Sequence, residues 1–559
     1  MVTQHSMSSI EGYARMRLSL GPHHQRADGI LQGLRDGRVC ERIWQKDRTV
    51  WSAEQVPELT DRLGWLTLPE VMDGQVDGIT AIAHEIKRRG YRHVMLLGMG
   101  GSSLAPEVFA RTFGSAVGYP ELLVLDSTHP EAVAAAEMAI DPTTALFVVS
   151  SKSGTTLETL SLFRTFWDRV ERVAKRPGDH FVAITDPGTP LEHLAVERGF
   201  RNICPAPPDV GGRYSALSVF GLVPAALIGI DIGQLLERAR TIAAASASSD
   251  LTAANPGLEL GAALGGLALS GVDKVTFLAV PQLASFPDWI EQLLAESTGK
   301  GGRGILPVAS EPPLSPQEFG QDRLFVALTI GGASGDVEQF TSDIEQAGHP
   351  VVRIHLRDSF DLGQEMYRWE MAVAVAGAVL GIHPFDQPDV QLAKDLARSA
   401  MDSRAGAAMP SGQQAVDAAD PRQLREELGK WAQAELGDYV ALQAYLAPNE
   451  DTTVRLQEVR KVLGQRLRVA TTLGYGPRFL HSTGQLHKGG PHTGLFLQLV
   501  DRPAHDVPVP ETDYTFGMLI GAQALGDYQA LRQRGRRILR VDLGEDAAAG
   551  LTALLEALR

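Results

Sequence analysis

Short apolar runs with no polar alternation, each followed by an alanine-rich helical stretch, recur along this chain and restrict what it can fold into. Residues 93–97, 122–125, 145–149 and 181–184 form one series. Residues 275–280, 324–329 and 351–354 form a second, and residues 439–445, 469–472, 495–499 and 538–541 a third. A strand that is apolar on both faces has to be covered on both faces, and strands separated by helices pair in parallel. The expected fold class is α/β: parallel sheets flanked by helices, one architecture used two or three times.

Composition agrees with such a core and narrows the function. Of 559 residues, 44% are hydrophobic and 21% charged, ordinary values for a globular protein. That length suggests roughly three to four folding units. The two cysteines, Cys40 and Cys204, are too few and too far apart for a disulfide framework or a zinc knuckle. They fit inert packing in a reducing cytoplasm. The N-terminal segment has no apolar core and no small-residue cleavage site, so no secretory signal is expected. Apolar stretches such as 371–382 fall short of the about 20 residues a bilayer requires and read as buried helices, so no membrane partner is expected. A net charge of −15, from 52 basic and 67 acidic residues, disfavours nucleic acid as a partner. It leaves a small anionic substrate open, because charge within a pocket decides that.

The expected organisation is an N-terminal helical arm over residues 1–60, with residues 42–46 and Trp51 packing on the body, then α/β units over 61–245 and 246–405 and a C-terminal α/β region over 406–559. The stretch AAASASSD, residues 243–250, ends a helix between the first two units, and a loop over 402–413 precedes the third.

Two turns carry the chemistry. In VMLLGMGGSSLAPEVF, residues 94–109, a strand enters a glycine-rich turn and then a helix, which suits close approach of an anion. Gly98, Gly100 and Asp126 fit a dinucleotide fingerprint, but Ser103 occupies the third glycine position. A tight turn without any ligand is the plainer alternative. In ALFVVSSKSGTTLETL, residues 145–160, Ser150, Ser151, Lys152, Ser153, Thr155 and Thr156 crowd the mouth of a helix that has Glu158 in its first turn. Several O–H and N–H donors, one cation and a positive helix end suit a phosphate monoester. The spacing is not that of a Walker loop, so the phosphate belongs to a substrate rather than a nucleotide. The plainer reading is a Ser/Thr capping cluster.

GGSS after one strand and SSKSGTTLET after another resemble a sugar isomerase (SIS) domain, and more specifically the phosphoglucose isomerase family. DVGGRYSALSVFGL, residues 209–222, is similar to that family's first signature and GIHPFDQPDVQLAK, residues 381–394, to its second. LLAESTGKGGRGILPV, residues 293–308, resembles the segment with its catalytic glutamate. These motifs, in order, cover residues 90 to 400. One departure is Asp389, where the family has a small residue, taken as a surface change.

The resemblance implies two SIS-type domains, flavodoxin-like three-layer sandwiches, plus a C-terminal α/β extension. It implies aldose–ketose isomerisation of glucose 6-phosphate and fructose 6-phosphate through a cis-enediol, in glycolysis and gluconeogenesis, by a cytoplasmic homodimer without cofactor or metal. No HExxH motif, clustered His/Asp set or cysteine ligand pair points to a metal. By this resemblance Glu296 is the base. Arg213, swinging from a glycine turn, stabilises the enediolate, a role whose loss typically costs roughly 3–4 kcal/mol. Lys394 lies at the ring oxygen, and Gln387 near substrate hydroxyls on the same helix face. Gly101, Ser102, Ser151, Lys152, Ser153 and Thr156 hold substrate. The ring-opening histidine is assigned to His481, in RFLHSTGQLHKGG, because LHSxGQ resembles a bacterial histidine segment; here it follows the second signature instead of preceding it. His487 and His492 compete for the role. This C-terminal stretch also resembles the isomerase half of transaldolase–phosphoglucose isomerase fusions; with no barrel-length domain before residue 90, isomerase activity alone is expected.

Alternatives are a broader SIS-type isomerase also taking mannose 6-phosphate or an amino-sugar phosphate, and a non-catalytic sugar-phosphate-binding regulator. Val2 stands where a glutamine-dependent aminotransferase would carry its cysteine, and the joint presence of Glu296, Arg213 and Lys394 disfavours the regulator.

Overall fold

Each apolar run forms a strand of one of three mainly parallel sheets. The structure, a computed structural model, describes residues 7–8, 14–248, 250, 253–332, 335–402 and 415–559. Most of the expected 402–413 loop, and Ser249 of the 243–250 stretch, lie outside the described residues. The first sheet has the strand order Glu121–Leu125, His93–Gly98, Ala145–Ser150, Phe181–Thr185, Asn202–Pro205, all parallel. The second runs Met7–Ser8, Arg15–Ser19, Val351–Leu356, Arg323–Ile330, Lys274–Ala279, Leu306–Val308. The third runs Val416–Asp417, Arg537–Asp542, Gly494–Val500, Tyr439–Tyr445, Ala470–Tyr475, again all parallel. Ala145–Ser150, Arg323–Ile330 and Tyr439–Tyr445 are buried at every position, as a strand covered on both faces must be.

The N-terminal segment is not the wholly helical arm expected. Arg15–Ser19 is a strand, paired antiparallel with Val351–Leu356 at the margin of the second sheet. Its sequence, RMRLS, alternates cations with apolar side chains, the period of a half-exposed strand. Helices His24–Asp36 and Val39–Trp44 follow. Trp51 does pack on the body: its indole N–H donates to the Ala374 carbonyl at 2.8 Å, and its ring meets Phe385 edge-on at 5.0 Å. Asn202–Pro205, an edge strand closed by proline, is a strand too short to stand out in the sequence.

Residues 371–382 fall largely in helix Asp361–Leu380, which is buried along almost its whole length. Helix Pro256–Ala268 lies against it. A Cβ on Gly257, Gly261 or Gly265 would come within 2.6–2.7 Å of Met371, Ala372 or Val379, so glycine every fourth residue lets the two backbones close up. No helix among the described residues is long and apolar enough to cross a membrane. Both thiols are free and buried, and burial pushes each up to about 12.

The third sheet is joined to the rest by apolar and ionic contacts. Ala295, Leu306, Tyr439, Leu486 and Phe496 share one buried cluster that spans it and the second sheet. Glu311 accepts from Arg323 Nη1 at 2.6 Å on the second sheet, and from the Thr471 amide at 2.7 Å on the third. Arg460 adds bonds to the Ser310 and Ala309 carbonyls at 2.8 and 3.1 Å. Removing one member of a buried ion pair leaves the other charge uncompensated. Glu311→Ala is therefore expected to lower unfolding free energy by about 3–5 kcal/mol in urea titrations; an unchanged midpoint would contradict this account of the junction.

Candidate active site

The glycine turn after His93–Gly98 is held by protein, not only shaped for a ligand. Gly100 has a left-handed backbone (φ +55°), and a Cβ there would meet both Gln292 Nε2 and the His481 carbonyl at 2.8 Å. A Cβ on Gly101 would lie 2.1 Å from the Gly212 carbonyl oxygen. Three distant segments thus meet at this turn: the Gly212–Arg213 turn, helix Phe286–Thr298, and the histidine segment. Ser102 is buried beside them, and Ser103 leans on Asp126 at 3.2 Å.

Arg213 follows directly. It does not swing from a flexible glycine turn; it is 3% exposed and held by four hydrogen bonds. It donates to Ser297 Oγ (2.9 Å), Gln387 Oε1 (2.8 Å) and the Pro384 and Asp386 carbonyls (2.7 and 2.9 Å). Its Nη1 stands 3.6 Å from Glu296 Oε1. Gln292, one helical turn before Glu296, donates to Glu296 at 3.2 Å and to the His481 carbonyl at 2.7 Å. Lys300 completes this group, donating to the His383 carbonyl and to Asp386 at 2.6 and 2.7 Å. Burial, with the charge of Arg213 adding, pushes its amine down to about 7.

The serine/threonine turn opens on a cavity of about 220 Å³ lined by Ser153, Thr155, Thr156, Glu158, Lys394 and His481 among others. Ser151 and Thr156 share a hydrogen bond at 2.9 Å, and no side chain caps helix Leu157–Glu171 at Thr156. Lys152 turns elsewhere, its ammonium donating to Asp186 at 2.6 Å. Gln387 is not on a helix with Lys394, because helix Val390–Asp402 begins beyond it; its amide donates to Glu58 at 3.3 Å.

Three residues that the sequence reading did not assign stand between these groups. Glu158 takes a hydrogen bond from Gln523 at 2.7 Å and lies 3.1 Å from His481 Nε2. Burial works to raise its carboxyl, but His481, with Lys394 farther out, holds it below the usual carboxylate value. Gln292 carried one readable signal, its four-residue spacing from Glu296 on a helix; Gln523 carried none. The three candidate histidines separate. His481 lines the cavity, His487 is buried between Phe479 and Phe496, and His492 is exposed.

Asp389 is no surface change. It is 7% exposed, accepts from Gln485 Nε2 at 2.8 Å and pairs with Arg534. Gln485 also donates to the Gly299 carbonyl at 2.9 Å, so the C-terminal segment clips the residue 389 loop to the end of the glutamate helix.

Known proteins resemble this chain in sequence and in fold. The phosphoglucose isomerase family model matches residues 67–304. A glucose-6-phosphate isomerase of Symbiobacterium thermophilum is 30% identical over 59% of this chain and 85% of its own length. One from Carboxydothermus hydrogenoformans is 27% identical over 59% and 83%. The chain belongs to the phosphoglucose isomerase family. The crystal structure of a glucose-6-phosphate isomerase from Chlamydia trachomatis shares the fold, with a TM-score of 0.58 at 19% identity over 72% of this chain and 90% of that one. A hypothetical protein from Thermus thermophilus superposes with TM-score 0.58 at 24% identity, covering 68% and 99%.

Within this phosphoglucose isomerase family member, the matched stretch holds both turns, Arg213 and Glu296; Gln387, Lys394 and His481 lie beyond it. What holds His481 in reach is Arg478, three residues earlier, whose guanidinium bridges Glu107 (2.5 Å) and Asp126 (3.0 Å). Asp288 and Glu291 complete this acidic group, and Ser482 donates to Glu291 at 3.4 Å. Burial, with neighbouring carboxylates, pushes Asp288 up to about 6 and Glu291 up to about 8. A folded pKa above the unfolded one stabilises fully below the unfolded value and is lost as pH rises through the folded value. The wild type therefore loses stability through Asp288 between about pH 4 and 6 and through Glu291 between about pH 4.5 and 8. Glu291→Gln should gain relative to wild type over that range, by up to about 1.4 kcal/mol per pH unit in urea midpoints. A difference constant with pH would contradict the assignment.

Proposed function

We infer that the chain interconverts glucose 6-phosphate and fructose 6-phosphate by aldose–ketose isomerisation. Family membership supports this, and the observation that carries it is the convergence of His481 and Glu158 on the serine/threonine turn, with Glu296 linked to His481 through Gln292.

In the proposed path the phosphate sits at the open end of helix Leu157–Glu171, held by Ser151, Ser153 and Thr156 with the first-turn amides. Lys152, paired with Asp186, contributes charge at a distance. The Gly101–Ser102 turn and Gln387 border the sugar. His481, oriented by Glu158, gives a proton to the ring oxygen beside Lys394 while the anomeric hydroxyl gives its proton to solvent water, which re-protonates the imidazole, so the C1–O5 bond breaks and the open aldehyde forms. Glu296 then takes the proton from C2. The C2–H electron pair becomes the C1=C2 bond, and the charge that develops on O1 faces the fixed guanidinium of Arg213. The O2 hydroxyl proton passes to O1, and Glu296 returns its proton to C1 as the C1=C2 pair takes it up and the O2 electrons close the C2 carbonyl. An arginine already held by four bonds needs no reorganisation when that charge appears. We also propose that the enzyme works as a homodimer in the cytoplasm, in glycolysis and gluconeogenesis, as the family resemblance implies.

Coupled assay of fructose 6-phosphate conversion tests the base: Glu296→Gln should lower kcat by about 10²–10⁴ with sugar-phosphate binding retained. Undiminished turnover would remove Glu296 from that role. His481→Asn should slow ring-closed substrate at least about tenfold more than an open-chain analogue, against the typical 10²–10⁴ worth of a positioned acid. Equal slowing of both would assign ring opening to another group. Activity is expected to persist in EDTA.

A further inference from the structure

A second cavity lies in the C-terminal region, on the far side of helix Phe516–Gln533 from the catalytic one. It has a volume of about 290 Å³ and is walled mainly by Tyr445, Val500, Ile520, Ala524 and Leu525, with Arg540 at its base. Its place in the sheet is informative. From Tyr439–Tyr445 the chain moves to Ala470–Tyr475 on one side, then crosses to Gly494–Val500 on the other. Tyr445 and Val500 end the two strands flanking that reversal, and open α/β sheets bind ligands in the crevice beyond such strand ends.

Arg540 is the unexplained group. It is 4% exposed, yet its Nε and Nη1 are buried with no hydrogen-bond partner, and it lies over the Tyr528 ring at 5.7 Å. Asp542 and the Tyr445 side chain bear on it only through space, and buried guanidinium nitrogens without an acceptor are costly and call for one. The other charges around the cavity are already engaged. Arg502 leans on Asp542 at 3.4 Å and Asp501 on His129 at 3.1 Å, while Asp506 accepts from the Gly517 and Val507 amides at 2.7 and 2.8 Å. One cation with two unbonded nitrogens among apolar walls, with Asp501 and Asp506 also lining the cavity, suits a monoanion on an apolar body and repels a dianion.

We propose that this cavity binds a small monoanionic carboxylate with an apolar body, its carboxylate on Arg540, and that the shared helix conveys occupancy to the isomerase site. Leu519 and Gln523 of that helix face the catalytic cavity, where Gln523 holds Glu158; Met518, Gly521, Ala524 and Leu525 face the second. A ligand seated on the second face therefore bears on the carboxylate that orients His481.

Calorimetric titration of the full chain with benzoate, hexanoate and inorganic phosphate tests this. At least one carboxylate should bind wild type and lose at least tenfold in affinity in Arg540→Met. It should lose as much in Gly521→Phe, which puts a ring into the cavity from a partly exposed helix position. Phosphate should show no binding that depends on Arg540, and the bound carboxylate should change kcat in wild type but not in Gly521→Phe. No carboxylate binding, binding indifferent to both substitutions, or Arg540-dependent phosphate binding would overturn the site. Binding that leaves kcat unchanged would overturn the coupling.

Discussion

The contact between His481 and Glu158 spans 323 residues of chain, and the proposed site depends on it. Glu158 opens the helix after a first-sheet strand, and His481 follows a third-sheet strand. Bringing them within 3.1 Å requires the C-terminal region to dock in one register. The means are visible at both ends of the segment: Arg478 in the acidic group, and Gln485 on the Gly299 carbonyl and Asp389. The glycines at 100 and 299 leave room for that docking, since a side chain on either would strike His481 or Leu486 of the incoming segment.

The acidic group shows what the docking costs. Four carboxylates around one arginine cannot all ionise cheaply away from water, and two of them take up protons near neutrality instead. A site held in this way gives up stability as pH rises but keeps its histidine in place. Arg213 follows the same logic: four bonds to one guanidinium trade mobility for a fixed charge beside Glu296.

The strands were legible because burial on both faces writes itself as an unbroken apolar run, and that signal holds wherever a strand is central. It fails at edges. Arg15–Ser19 carries alternating arginines, and Asn202–Pro205 is short and ends in proline. Glu296, Arg213 and Lys394 are proposed from motifs in family order and His481 from a motif out of that order, and the neighbourhood of none of them was legible. Asp389 looked like a surface residue because its partners, Gln485 and Arg534, come from the C-terminal region. Lys152 looked like a phosphate ligand because the turn around it is rich in donors, whereas Asp186 at the end of the next strand claims its ammonium. Glu158 was in plain view at a helix start, and only its distant partner gives it a role.

The most direct measurement is a double-mutant cycle on kcat/KM for ring-closed glucose 6-phosphate, using Glu158→Gln, His481→Asn and the pair. If the two side chains act as one unit, the double variant is no slower than the slower single variant. If the two losses multiply, His481 and Glu158 work independently, and the C-terminal region does not complete the site in the way described.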